Sequence, residues 1–263
     1  VWHRRTNRLA AGVHSSPRMH RKLFYRLLTR LAVFILLLPG AVAQPATDYV
    51  RTSYPEIFSY EELSALLEKD PVEEPLRSKL EALLTTPFVS NEAYFAECKP
   101  HRPELAGLGP GLRVVFWNIE RGLNRDLVKL AFTDSDAFLR AAEASPSEEM
   151  SRQLQMLQSA DVVILNEADW GLKRTGYRAV IEELGKALHM NWAYGVEFIE
   201  IDPKILGTET FDNVKDEAER ANLREAVAVD KAKLRALHGT AVLSRYPIRD
   251  AKLIPFRRPG YDW

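Results

Sequence analysis

Two stretches of the chain run apolar without alternation and then stop at a polar side chain. They are Leu112-Arg113-Val114-Val115-Phe116-Trp117-Asn118 and Asp161-Val162-Val163-Ile164-Leu165-Asn166-Glu167. Runs of β-branched and aliphatic residues of this length predict strands buried on both faces. Their last residues, Asn118 and Glu167, then stand at the carboxyl edge of a sheet, where open α/β folds place their ligands. Between them the pattern turns helical. A mixed helical stretch covers 124–144, and Ser145-Pro146-Ser147-Glu148 reads as a helix start, with Ser145 as cap, Pro in the first turn and Glu three residues on. Met150, Leu154 and Leu157 share one face of that helix. Strand, helix, strand in this order is a crossover unit and places the chain in the α/β class.

The flanks are read in the same way. Leu63, Leu66 and Leu67, then Leu76, Leu80, Leu83 and Leu84, mark two helices separated by Pro71 and Pro75. Tyr177, Val180, Ile181, Leu184 and Leu188 mark another. Residues 191–201 form an aromatic strand. Residues 203–237, dense in charge and helix formers, read as a partly helical surface insertion. The strand pattern resumes at 239–245, turns at Tyr246-Pro247, and is expected to run on through Ile248 to Phe256. Residues 44–110 read as a tether and helical arm ahead of the main domain, which spans 111–263.

Composition changes this picture at the N-terminus. The 263 residues carry 36 basic and 36 acidic side chains. Residues 1–43 hold eight Lys and Arg and no Asp or Glu, leaving 28 basic against 36 acidic in the remainder. An acidic body does not attract nucleic acid by its mean field. From Met19 a basic stretch leads into Leu31-Ala32-Val33-Phe34-Ile35-Leu36-Leu37-Leu38, a Pro39-Gly40 break and Ala41-Val42-Ala43. That order matches a secretory signal cleaved after Ala43, with residues 1–18 upstream of the true start. Export to the periplasm or the extracellular medium follows; the alternative is an uncleaved N-terminal membrane anchor. Cys98 is the only cysteine, so an internal disulfide is excluded.

Glu167 suits a hard cation. Magnesium takes oxygen ligands and usually one or two protein carboxylates, and the Asn118 amide can orient the ion or a phosphate oxygen. The same positions also suit a solvated carboxylate and a turn residue. Arg174 pairs chemically with phosphate and equally suits an exposed loop.

The stretch 112–119 resembles the opening motif of the endonuclease/exonuclease/phosphatase superfamily, whose fold is that of deoxyribonuclease I. Residues 160–167 resemble its second motif, in which the Glu binds the catalytic metal; here Asn166 stands where Gln is usual. His238-Gly239-Thr240-Ala241-Val242-Leu243-Ser244-Arg245-Tyr246-Pro247-Ile248 is similar to a third motif. The three cover residues 111–257. The resemblance implies part of a four-layer α/β/β/α sandwich and hydrolysis of phosphate esters with magnesium, or manganese as the alternative. It makes Glu167 the metal ligand and Asn118 a phosphate- or metal-orienting group, together the catalytic and metal-binding pair; proximity to these motifs, not the resemblance, adds Asp169, Arg174 and Tyr194 as substrate-binding neighbours on the same edge. Nucleic acid, phospholipid and inositol phosphate all remain open as substrates. The family's later Asp-x-Asn and Asp-His motifs do not follow the third stretch, so the chain reads as the N-terminal half of such an enzyme. The rival reading is an inactive, partner-binding remnant of the same fold.

Overall fold

The computed structural model describes residues 49–69, 71–96, 104–105, 107 and 109–254, with the backbone alone of 32–37 and 105. In chain order the elements are β1 (Ala32–Leu37), β2 (Thr52–Ser53), α1 (Tyr60–Glu68), α2 (Leu76–Thr85), β3 (Phe88–Ser90), α3 (Glu92–Phe95), β4 (Glu104–Leu105) and β5 (Gly109–Arg121). They continue with α4 (Arg125–Thr133), α5 (Ser135–Ala141), α6 (Glu148–Gln158), β6 (Val162–Trp170), α7 (Val180–Leu188), β7 (Asn191–Ile199), α8 (Glu217–Val227) and β8 (Leu237–Ser244). The chain is mixed α/β. Its sheet runs β1-β5-β6-β8-β7-β3-β2, with β4 added on β5.

The two apolar runs form the only parallel ladder among the described strands, Val114↔Val162 through Asn118↔Asn166. Every other pairing is antiparallel. Side chains alternate between the faces of a sheet, and one face is covered by helices. Val115, Trp117, Ile119, Val163, Leu165, Trp192, Tyr194 and Leu243 are buried there. Trp117 meets Phe132 of α4 at a ring separation of 6.0 Å. α7 approaches closely because Gly185 has no side chain: a Cβ there would run into the Trp192 indole. The opposite face carries Val162, Ile164 and Val242, all half-buried, and Phe116, which is 41% exposed. Burial on both faces, expected from the apolar runs, is thus complete on one face within the described chain.

Several local expectations change. The cap of α6 is Ser147, whose side chain accepts from the Met150 N–H at 3.1 Å, two residues later than the expected Ser145. The stretch 124–144 is two helices, because the Asp134 side chain caps a new helix by accepting from the Ala137 N–H. Residues 248–254 form no strand; this segment folds over the sheet, and Leu253 occupies the space that a side chain at Gly195 would need. The 44–110 arm enters the sheet, since β3 pairs with β7 and β2 pairs with β3. The charged insertion is docked rather than loose: Lys173 Nζ donates to the carbonyls of Ala226 and Ala228, and Tyr60 donates to Leu206.

Of the apolar core read as a signal segment, Ala32–Leu37 pairs antiparallel with the outer edge of β5. The rest of residues 1–48, the cleavage point, Cys98, His101 and residues 255–263 lie outside the described residues. No helix among the described residues is long and apolar enough to cross a membrane.

Candidate functional site

Asn118 and Glu167 stand side by side where both strands of the parallel ladder lose register. β5 sets Ile119 and Glu120 against the single residue Glu167 before pairing resumes at Arg121↔Ala168. On its other side β6 sets Asn166 and Glu167 against Thr240 of β8, between Leu165↔Ala241 and Ala168↔Gly239. Glu167 is therefore the extra residue of a β-bulge, a device that re-aims a side chain. Its φ is 57°, and Glu120 and Arg121 have φ of 52° and 63°. Left-handed backbone at bulky non-glycine residues is uncommon and costs roughly 1–3 kcal/mol each, which the surrounding sheet must hold.

The bulges bring two side chains into direct contact. Asn118 Nδ2 donates to Glu167 Oε1 at 2.7 Å, and Asn118 Oδ1 accepts from the Glu120 N–H at 2.9 Å. The amide is thus fixed at both ends and acts on the carboxylate. Glu167 Oε2 has no hydrogen-bond partner among the described residues.

A third bulge lies at the same level. In β7 the pairing passes from Val196↔Gly239 to Phe198↔His238, leaving Glu197 as an extra residue. Thr240 sits between the β6 and β7 bulges. Its hydroxyl faces two acceptors, Asn166 Oδ1 at 2.8 Å and the Glu197 carboxylate, and shares its one proton between them. Asn118, Glu167, Asn166, Thr240 and Glu197 form one polar row across four strands.

Beyond that row lies a charge cluster. Asp169, two residues past Glu167, is fully buried. Arg174 Nε and Nη2 donate to its two oxygens at 2.6 and 2.9 Å. Nη1 and Nη2 of the same guanidinium donate to Glu200 at 2.6 and 2.5 Å. Arg121 adds a bond to Glu200 at 3.2 Å, and His238 Nδ1 lies 2.9 Å from Asp169 Oδ1 while its ring stacks on Phe198. Burial opposes the charge on Arg174, but the bonds to Glu200 and Asp169 outweigh it and hold the guanidinium well above its ordinary pKa.

No match was found when the chain was compared with family models, curated proteins and solved structures. What the site can do therefore rests on its own geometry. Asp169, Glu200 and His238 offer ligand atoms within 4.8 Å of one another and could hold a metal ion. Mixed imidazole and carboxylate donors suit zinc or iron better than magnesium or manganese. Two guanidinium groups already balance the two carboxylates there, so a metal must displace Arg174. The Glu167 carboxylate suits a hard cation, which needs one carboxylate and fills its remaining positions with water.

The five residues expected at the site fall into three places. Asn118 and Glu167 meet at the paired bulges. Asp169 and Arg174 meet each other, in the charge cluster. Tyr194 is in the core, donating to the Ala168 carbonyl at 3.1 Å, and burial, with the charges of Asp169 and Glu197, raises its hydroxyl well above the usual 10.0. Sequence reading missed Thr240, Glu197, Glu200 and the Asp169–His238 contact. Glu197 and Glu200 were visible only as two carboxylates interrupting an aromatic strand.

Proposed function

We propose that this protein hydrolyses phosphate esters with a divalent cation, magnesium or manganese, held at Glu167. The observation that carries this is the Asn118–Glu167 hydrogen bond on paired bulges. Strained backbone in two adjacent strands presents one carboxylate, with one oxygen steadied by an amide and the other open. Bound there, a divalent cation polarises a phosphoryl oxygen. The protein's part is to aim the carboxylate, through the bulge in β6, and to stop its rotation, through Asn118. The half-buried apolar face of Val162, Ile164 and Val242, with exposed Phe116, supports the further reading that this sheet is one layer of a four-layer sandwich of the endonuclease/exonuclease/phosphatase type. The charged, apolar and small-residue order of 19–43 supports export, which N-terminal sequencing of secreted material tests.

The deciding assay is hydrolysis of bis(p-nitrophenyl) phosphate by the full-length protein. Turnover that requires added magnesium or manganese and drops at least about 100-fold in Glu167→Ala supports the reading. Unchanged turnover in Glu167→Ala, or none in the wild type with either metal, overturns it.

A further inference from the structure

β6 and β7 each insert a glutamate as an extra residue beside β8, Glu167 opposite Thr240 and Glu197 between the partners of Gly239 and His238. Thr240 pairs with Gly195, two residues before Glu197, and stands alone opposite Asn166 and Glu167. Its hydroxyl reaches both sides. We infer that Thr240 is a positioning residue for the cation site: its hydroxyl donates to the Asn166 side chain, Glu197 orients that hydroxyl as the second acceptor of its one proton, and Asn166 fixes the bulge that aims Glu167. This rests on the reading of Glu167 as the cation ligand.

The physical basis is the softness of a bulge. Its extra residue has no partner in the ladder, so the direction of the Glu167 side chain depends on what grips its neighbours. On one side that grip is Asn118, which holds the carboxylate itself. On the other, Thr240 and Glu197 supply it through Asn166. The β6 and β7 bulges are tied by one hydroxyl, so a change at Glu197 is transmitted to Glu167 across β8. Glu197 is exposed and Thr240 half-buried. Neither is part of the packed core, and a role confined to stability is not expected for them. Both also line a cavity of about 790 Å³ on the face of the sheet, bounded by Leu84, Ala193, Val242 and Leu253.

The test is manganese binding to the full-length protein, followed by electron paramagnetic resonance of the free ion, with urea denaturation run in parallel. Outer groups that orient metal ligands typically change metal affinity by about 10–100-fold. Thr240→Val, which keeps the shape and removes the hydroxyl, is expected to weaken manganese binding by about 10-fold or more. Thr240→Ser is expected to keep near wild-type binding, and Glu197→Ala, which leaves the hydroxyl proton wholly to Asn166, to weaken it by less than Thr240→Val. All three should unfold near the wild-type urea midpoint. Wild-type affinity in Thr240→Val, or equal weakening in Thr240→Val and Thr240→Ser, overturns the inference while leaving Glu167 as ligand. Absence of manganese binding in the wild type removes the Glu167 reading and this inference together.

Discussion

Arg174 and Glu200, 26 residues apart in the chain, join through two hydrogen bonds of 2.6 and 2.5 Å while the same guanidinium grips Asp169. One side chain thereby ties the turn after β6 to the end of β7. Removing one partner of such a cluster leaves buried charge uncompensated. Arg174→Met is expected to lower stability by on the order of 3 kcal/mol in urea denaturation. Arg174→Lys should recover less than half of this, because a point charge cannot bridge two carboxylates as a planar fork does. Full recovery by lysine would show that charge alone matters there.

Asn118 acts on the Glu167 carboxylate, so its loss should be felt in chemistry rather than in folding. Asn118→Leu is expected to lower kcat/KM for bis(p-nitrophenyl) phosphate by about 10–100-fold while the urea midpoint stays near the wild type. A large fall in stability with normal activity per folded molecule would make the amide a structural group.

Close packing of α7 on the sheet sets another expectation. Gly185→Ala drives a methyl group into Trp192, and overpacking of this kind costs about 1–3 kcal/mol. Adding Trp192→Leu should recover most of the loss, because it makes room for the methyl. A double variant as unstable as the sum of its parts would mean that the two residues do not compete for space.

Lys79 donates to Glu62 at 2.8 Å and to Glu56 at 2.6 Å. Burial raises the Glu62 carboxyl, but the Lys79 and Ser59 hydrogen bonds outweigh it and leave the carboxyl below its ordinary 4.5. Lys79 is likewise held above 10.5, the two glutamates overriding burial. A depressed carboxyl stabilises the fold above its unfolded pKa and loses this as pH falls through the folded value. A raised ammonium stabilises the fold below its unfolded pKa and loses this as pH rises through the folded value. Lys79→Met should therefore cost about 0.5–1 kcal/mol between pH 5 and 10, the size of a partly exposed pair, with the difference from wild type closing below about pH 4 as the carboxyls protonate. A cost that stayed constant down to pH 3 would assign it to packing of the lysine stem.

The strands and helices were legible because their signals are local. The unbroken run Val162-Val163-Ile164-Leu165 and the spacing of Val180, Ile181, Leu184 and Leu188 each report one element's own geometry. Asn118 and Glu167 were legible as the polar residues that close the apolar runs, but they are not strand ends at the sheet's edge: β5 continues to Arg121 and β6 to Trp170, past the bulges. The bulges were not legible, because an extra residue is defined only by its partner strand. The Glu200 partner of Arg174 and the Thr240 bridge were hidden for a related reason, since both are contacts across sequence separations that no periodicity encodes. β3 escaped because three residues are too short to show alternation, and it holds its place through the pairing Phe88↔Tyr194.

Glu167 also separates what this sheet is from what it is proposed to do. It is one codon inserted between Leu165↔Ala241 and Ala168↔Gly239, where Thr240 is the single residue opposite. Delete that codon and, on the β8 side, Asn166 faces Thr240 alone, Ala168 still meets Gly239, and the apolar residues of β6 keep their side of the sheet, while on the β5 side Ile119 and Glu120 are left with no residue opposite. The core of β6 would be read in the same frame, and only the carboxylate would be gone. On the proposed role of Glu167, a single in-frame insertion adds or removes the cation's carboxylate, with the hydrophobic core of β6 as an indifferent bystander.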